Sequence, residues 1–135
     1  MAVVGFKKIL AGCALAGMSC AAVAADAFPI EGSLWRVTAI NGEATPHSKY
    51  SINFGGNQVT GRLGCNDFGG NLAVTEGNLN ISALRATSRV CGDDAAMFEG
   101  EGFRVLSEPL RMEWAGRDKL TIASNSGSMT LERLP

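Results

Sequence analysis

The sequence predicts an α+β fold that is mainly antiparallel β: a curled sheet or small barrel of seven to eight strands with one packed helix. Three observations carry this expectation. Apolar and polar residues alternate with period two along most of the chain after residue 30. Short clusters of Gly, Asn, Asp and Ser interrupt that alternation at regular intervals. One segment only, Asp93 to Ser107, changes to helical spacing.

The first 25 residues stand apart from this pattern, since 19 of them are apolar. Lys7 and Lys8 precede a greasy stretch from Ile9 to Val23, and Ala22-Val23-Ala24-Ala25 supplies the small residues that a signal peptidase needs. The 15 residues from Ile9 to Val23 fall short of the roughly 20 needed to span a hydrocarbon core. The reading is therefore residues 1–25 as a secretory signal, cleaved near Ala24/Ala25, and residues 26–135 as a single domain. That places the mature chain in the periplasm or outside a bacterial cell. Leu10-Ala11-Gly12-Cys13 resembles a lipobox but leaves almost no apolar centre ahead of Cys13, and Cys20 has Gly17 where Leu or Val is wanted. Lipid anchoring through Cys13 or Cys20, and with it membrane attachment, is the alternative to a leader that is simply discarded.

Taken in order, Ser33–Ile40 alternates and stops at Asn41-Gly42, a dipeptide that accepts positive φ at low cost. Tyr50–Phe54 follows and turns at Gly55-Gly56-Asn57. Val59–Leu63 has Gly61 inside it, which signals a bulge or a close backbone approach. Leu72–Val74 ends at Glu76-Gly77-Asn78, and Leu79–Ile81 resumes. Leu110–Trp114 turns at Ala115–Asp118, Leu120–Ile122 turns at Ser124–Gly127, and Met129–Arg133 closes the series. In the helical segment Phe98, Gly102, Val105 and Leu106 share one face, Asp93 is the expected N-cap, and Pro109 stops the helix. Gly100 and Gly102 each cost about 1 kcal/mol against alanine there, so either the helix packs very closely on the sheet or it kinks.

Two cysteines remain after the leader, Cys65 and Cys91. In an oxidising compartment an even pair is most simply a disulfide, worth about 3.5 kcal/mol for a loop of this length. His47 is the single imidazole, too few for a metal site with this pair, and redox-active pairs are more usually Cys-x-x-Cys.

Several of these segments together resemble the META domain, a family that includes the HslJ-type heat-shock proteins of bacteria. They are Gly32-Ser33-Leu34-Trp35 before Asn41-Gly42, Gly61-Arg62-Leu63-Gly64-Cys65-Asn66-Asp67-Phe68-Gly69-Gly70, and Thr87-Ser88-Arg89-Val90-Cys91 before a helix. The resemblance spans about residues 31 to 134, with Gly64, Cys65, Asn66, Gly70, Thr87 and Trp35 as its motif positions. Leu72 stands where an aromatic is common, and Arg89-Val90 replaces the usual Met-Ala. The resemblance implies an exported or envelope-associated β-domain linked to stress or antibiotic tolerance. It offers no agreed catalytic residues to carry over.

The composition excludes several functions. Residues 26–135 carry 10 basic and 13 acidic side chains, which gives no footprint for nucleic acid. His47 in Thr45–Lys49 reads as a solvated loop residue rather than a base, and there is no nucleophile-elbow motif. Gly61–Gly70 lacks the Lys-Ser/Thr of a phosphate loop, so its glycines read as bends and tight packing around Cys65, with Asn66 holding the turn that follows. No catalytic residue, metal or cofactor is assigned. The expected function is a non-catalytic, monomeric envelope protein that binds a protein or cell-wall component. The alternative is a small-ligand carrier whose apolar cavity is lined by Trp35, Phe54 and Trp114.

Overall fold

The computed structural model describes residues 29–46 and 49–135. The leader with Cys13 and Cys20, and also His47, lie outside the described residues. The elements are β1 Ser33–Ile40, β2 Glu43–Ala44, β3 Tyr50–Phe54, β4 Gln58–Leu63, β5 Asn66–Thr75, β6 Asn78–Ala86, α1 Asp93–Leu106, β7 Leu110–Trp114, β8 Lys119–Ser124 and β9 Gly127–Arg133.

Every pairing is antiparallel, running β1-β3-β4-β5-β6-β7-β8-β9, and β9 returns to β1. The eight strands form a closed barrel, an arrangement that leaves no open sheet edge at the β1–β9 join. β2 is one extra two-residue strand folded back on β1 through Asn41 (φ 52°) and Gly42 (φ 82°), the paired positive φ values of a type I′ hairpin. The weakest seam is β6–β7, with two register pairs, Asn78↔Arg111 and Leu79↔Leu110, and the Met112 amide donating to the Gly77 carbonyl at 3.4 Å.

Alternation explains the barrel's interior. Trp35, Ile52, Gly61 and Phe68 face one another in register across β1, β3, β4 and β5. A Cβ at Gly61 would lie 2.6 Å from Phe68 Cζ, so the glycine is there to let the Phe68 ring lie across β4. Of the two readings of Gly61, close approach is the correct one. Trp35, Val37, Ile40, Ile52, Phe54, Leu63, Leu120, Ile122, Met129 and Leu131 are buried in the core. The buried Trp35 indole donates to Ser33 Oγ at 2.7 Å, and that hydroxyl donates to the Ile30 carbonyl, so the one polar atom of the ring is satisfied.

α1 lays Phe98, Gly102, Val105 and Leu106 against the strands, the four residues its spacing selects. A Cβ at Gly102 would sit 2.7 Å from Leu63 Cδ1 and 2.9 Å from Met129 Cε, so this glycine sets how near the helix can come. Nothing lies within 4 Å of a Cβ at Gly100. Phe98 meets Tyr50 and Phe103 meets Phe68, both edge-on with centroids 5.8 and 5.7 Å apart. The N-cap is Gly92, not Asp93: Gly92 is extended (φ −63°, ψ 166°) and offers no side-chain cap. Asp93 and Asp94 occupy the first turn instead, where carboxylates favour the positive end of the helix dipole.

One sequence expectation changes around the glycine-rich stretch. Gly61–Gly70 is not a series of bends but two paired strands joined by the two-residue turn Gly64-Cys65. Gly70 sits where the β5–β6 register shifts, with both Ala83 (φ 53°) and Leu84 opposite it, the signature of a β-bulge.

Candidate functional site

The exposed segment from Thr87 to Gly92, which links β6 to α1, is held by a dense set of polar contacts. Its anchor is the β4–β5 turn. Gly64 takes φ 67°, and a Cβ there would press on both Ala95 Cβ and the Tyr50 hydroxyl at 3.3 Å. Only glycine meets both demands. Its amide donates to the Lys49 carbonyl at 2.9 Å, and the next residue, Cys65, is bridged to Cys91 with Cα atoms 6.0 Å apart.

Asn66 follows, buried at 1% exposure. Its Oδ1 accepts from Thr87 Oγ1 at 2.8 Å and from the Arg89 amide at 2.7 Å. Its Nδ2 donates to the Arg89 carbonyl at 3.0 Å and to Glu99 Oε2, and lies 3.4 Å from Cys91 Sγ. The side chain therefore does not hold its own turn, as the sequence suggested. It opens β5 and reaches across to grip both backbone polar groups of Arg89 and the helix. Thr87 adds its amide to the Asp67 carbonyl (2.9 Å) and receives the Asp67 amide on its hydroxyl (3.0 Å). Arg89 Nη1 donates to the Cys65 carbonyl at 2.9 Å.

Charge collects on the same face. Arg62 and Asp67 are cross-strand partners, with Nε to Oδ1 at 2.8 Å and Nη2 to Oδ2 at 3.4 Å, and Arg89 Nη1 approaches Oδ2 at 3.6 Å. The hydrogen bond from Arg62 holds the Asp67 carboxyl below its ordinary range, against the opposing effect of desolvation and with help from the Arg62 and Arg89 charges. The same bond raises Arg62. Tyr50, beneath the turn, is pushed up by burial, then by the Glu99 and Asp94 charges.

Two concavities flank this cluster. One, of about 400 Å³, runs over Thr60, Phe68, Gly69, Arg85 and Thr87, with Asp67 on its border. The other, of about 440 Å³, is lined by Lys49, Arg62, Arg89, Val90 and the Cys65–Cys91 bridge. Together they present four cations and the Asp67 carboxylate, while Asp93 and Asp94 stand in the first turn of α1. Such a surface can donate to carboxylates or phosphates through fixed guanidinium groups. Among the described residues no three of His, Cys, Asp and Glu gather closely enough to hold a metal ion.

The sequence-selected residues divide. Gly64, Cys65, Asn66, Thr87 and Cys91 come together here. Asn41 and Gly42 lie in another turn, where Asn41 receives the Ser128 amide at 3.0 Å and donates to Glu101 Oε1 at 3.2 Å. Gly70 belongs to the bulge, where a Cβ would stand 3.0 Å from Ile81 Cγ2. Trp35 and Phe54 have no surface open to water, so neither ring lines a void large enough for a water molecule. Trp114 is half-buried and meets Trp35 edge-on at 5.8 Å, with the Arg133 guanidinium 4.5 Å over the Trp35 ring. Sequence reading missed Lys49, Arg62, Asp67, Arg85 and Arg89 as a group. The readable signal was Arg62 and Asp67 placed symmetrically about Gly64-Cys65, which a hairpin register makes opposite neighbours.

Comparison with known proteins fits this architecture. A protein solved by NMR superposes with a TM-score of 0.65 at 19% identity, covering 76% of this chain and 90% of that one. A Burkholderia xenovorans protein, also solved by NMR, gives 0.65 at 17% identity, covering 78% and 83%. No curated protein matches the sequence significantly. The META domain family model matches residues 29–134, the span that contains the barrel, the bridge and the helix. This chain belongs to the META domain family.

Proposed function

We propose that this chain is an exported envelope protein, active in stress or antibiotic tolerance, that works by binding a protein or cell-wall component rather than by catalysis. The observation that carries the reading is the basic face beside the bridge: Lys49, Arg62, Arg85 and Arg89 are four of the ten cations beyond the leader. They surround two adjoining concavities on a scaffold already ordered by Asn66 and a disulfide. The charged leader and the even cysteine pair support export. The carrier alternative would need Trp35 and Phe54 at a void, and their rings offer no surface to one.

The test has two arms. Mass measurement of the protein from the periplasmic fraction of source cells should give the chain without residues 1–25 and lighter by two hydrogens than the dithiol form. Purified peptidoglycan sacculi and an envelope protein extract are then presented to the wild type and to a Lys49→Gln/Arg62→Gln/Arg89→Gln variant. Retention on one of them should fall at least about tenfold in the variant. Retention equal to that of the wild type on both probes, or a cytoplasmic protein with its leader intact, overturns the reading.

A further inference from the structure

We propose, resting on the binding reading above, that residues 87–92 form a pre-ordered docking knob for an acidic protein partner, with Val90 as its apolar anchor. Val90 is 99% exposed, and the segment that carries it buries almost nothing of its own. Yet it is fixed on both sides of Val90. Both backbone polar groups of Arg89 are held by Asn66, the Arg89 side chain is held by the Cys65 carbonyl, and Cys91 is bridged. Core formation does not call for this, because the segment contributes no side chain to the core. Ordering an exposed apolar residue in advance removes the conformational cost that a partner would otherwise meet on binding.

The surroundings of Val90 define the partner. On the sheet side stand Arg62, Arg89 and Lys49, with Asp67 engaged between the two guanidinium groups. On the helix side stand Asp93 and Asp94. A complementary surface therefore has an apolar socket with carboxylates along one side of it, the side that meets β4 and β5. An anchor in a socket within a polar rim is the usual anatomy of a protein–protein hot spot. A glycan polyanion would use the cations and gain nothing from Val90.

The full chain is expressed in the source organism with photoreactive p-benzoylphenylalanine in place of Ser88, leaving Val90 intact, and a control carries it in place of exposed Asn71. Irradiation should give one protein adduct of discrete mass from position 88 and none from position 71, with the captured peptide rich in Asp and Glu. Val90→Asp and Arg62→Gln/Arg89→Gln, each added to the position-88 probe, should cut the yield at least tenfold. Val90→Asp should leave the melting temperature nearly unchanged, since the residue is 99% exposed. Absence of a protein adduct above the position-71 level, or a yield indifferent to Val90→Asp, overturns the knob. If sacculus binding still depends on Lys49, Arg62 and Arg89 in that case, the knob fails and the basic binding face stands. If that dependence is missing too, both fall.

Discussion

Trp35 and Val90 mark the two extremes of the molecule: the first has no surface open to water and the second has 99% of its surface open. Around Trp35 the chain is held by area. Inward residues from successive strands pack on one another, and Gly61 and Gly102 are small so that Phe68 and α1 can close in. Around Val90 it is held by point contacts, namely a buried amide, a bridge and a carboxylate between two guanidinium groups. Burial decides where strands go but has nothing to say about a segment that buries no apolar side chain. Fixing such a segment requires directional bonds. The two regions should accordingly fail in different ways.

The largest expected effect is on the packed side. Trp35→Ala should cost about 4 kcal/mol through lost transfer energy and the cavity left behind, read as a lower denaturant midpoint. A cost near zero would mean the barrel interior is not the source of stability. Next comes the bridge. Reduction, or Cys65→Ser, should cost about 3.5 kcal/mol in the chain-entropy model for a separation of 26 residues, read as a fall in melting temperature. Thiol reagents should label neither cysteine in native, air-exposed protein. Asn66→Ala should cost about 2 kcal/mol by leaving polar groups of Arg89 and Glu99 unpartnered. Its amide spectrum should change over 87–92 and hold over β8 and β9.

The smallest effect sharpens the contrast from the other side. Because the Asp67 carboxyl is held below its ordinary value, its pairing stabilises the fold above the ordinary carboxylate range and is lost as pH falls through the depressed value. The Asp67 side chain is about half open to solvent, so the change in melting temperature should be slight. The side-chain NMR signals of Arg62 should nevertheless shift along the same acid titration, and Asp67→Asn should abolish that shift. An Arg62 titration that survives Asp67→Asn would remove Asp67 as the group that positions it.

Legibility in the sequence followed the same division. The bounds of β1, β3 and β7 coincide with their alternating runs, and the buried face of α1 is the one its spacing selects. These elements are specified by burial, and burial has a period. β2, the start of β5 and the second half of β6 were not legible. β2 is two exposed residues carried by the Asn41-Gly42 turn, and the start of β5 hides among glycines whose role is set by Phe68 and Ile81 across the sheet. The bridged pair was legible from cysteine parity and the export that the leader predicts. Asn66 was marked as a motif residue, but its partners lie 21 to 33 residues away, and no local pattern encodes that reach. The cluster of cations was hidden for the same reason, since Arg62 and Arg89 meet at Asp67 only after β4, β5 and the bridge are in place.

The most direct test of the account is backbone ¹⁵N relaxation on the oxidised protein, comparing the exposed Ser88 and Val90 amides with the exposed turn at Gly56. A loop ordered in advance for binding should give order parameters of about 0.85 at Ser88 and Val90, as in the strands, and lower values at Gly56. Values below about 0.6 at Ser88 and Val90 would mean that Asn66 and the bridge do not order this segment, and would contradict the account.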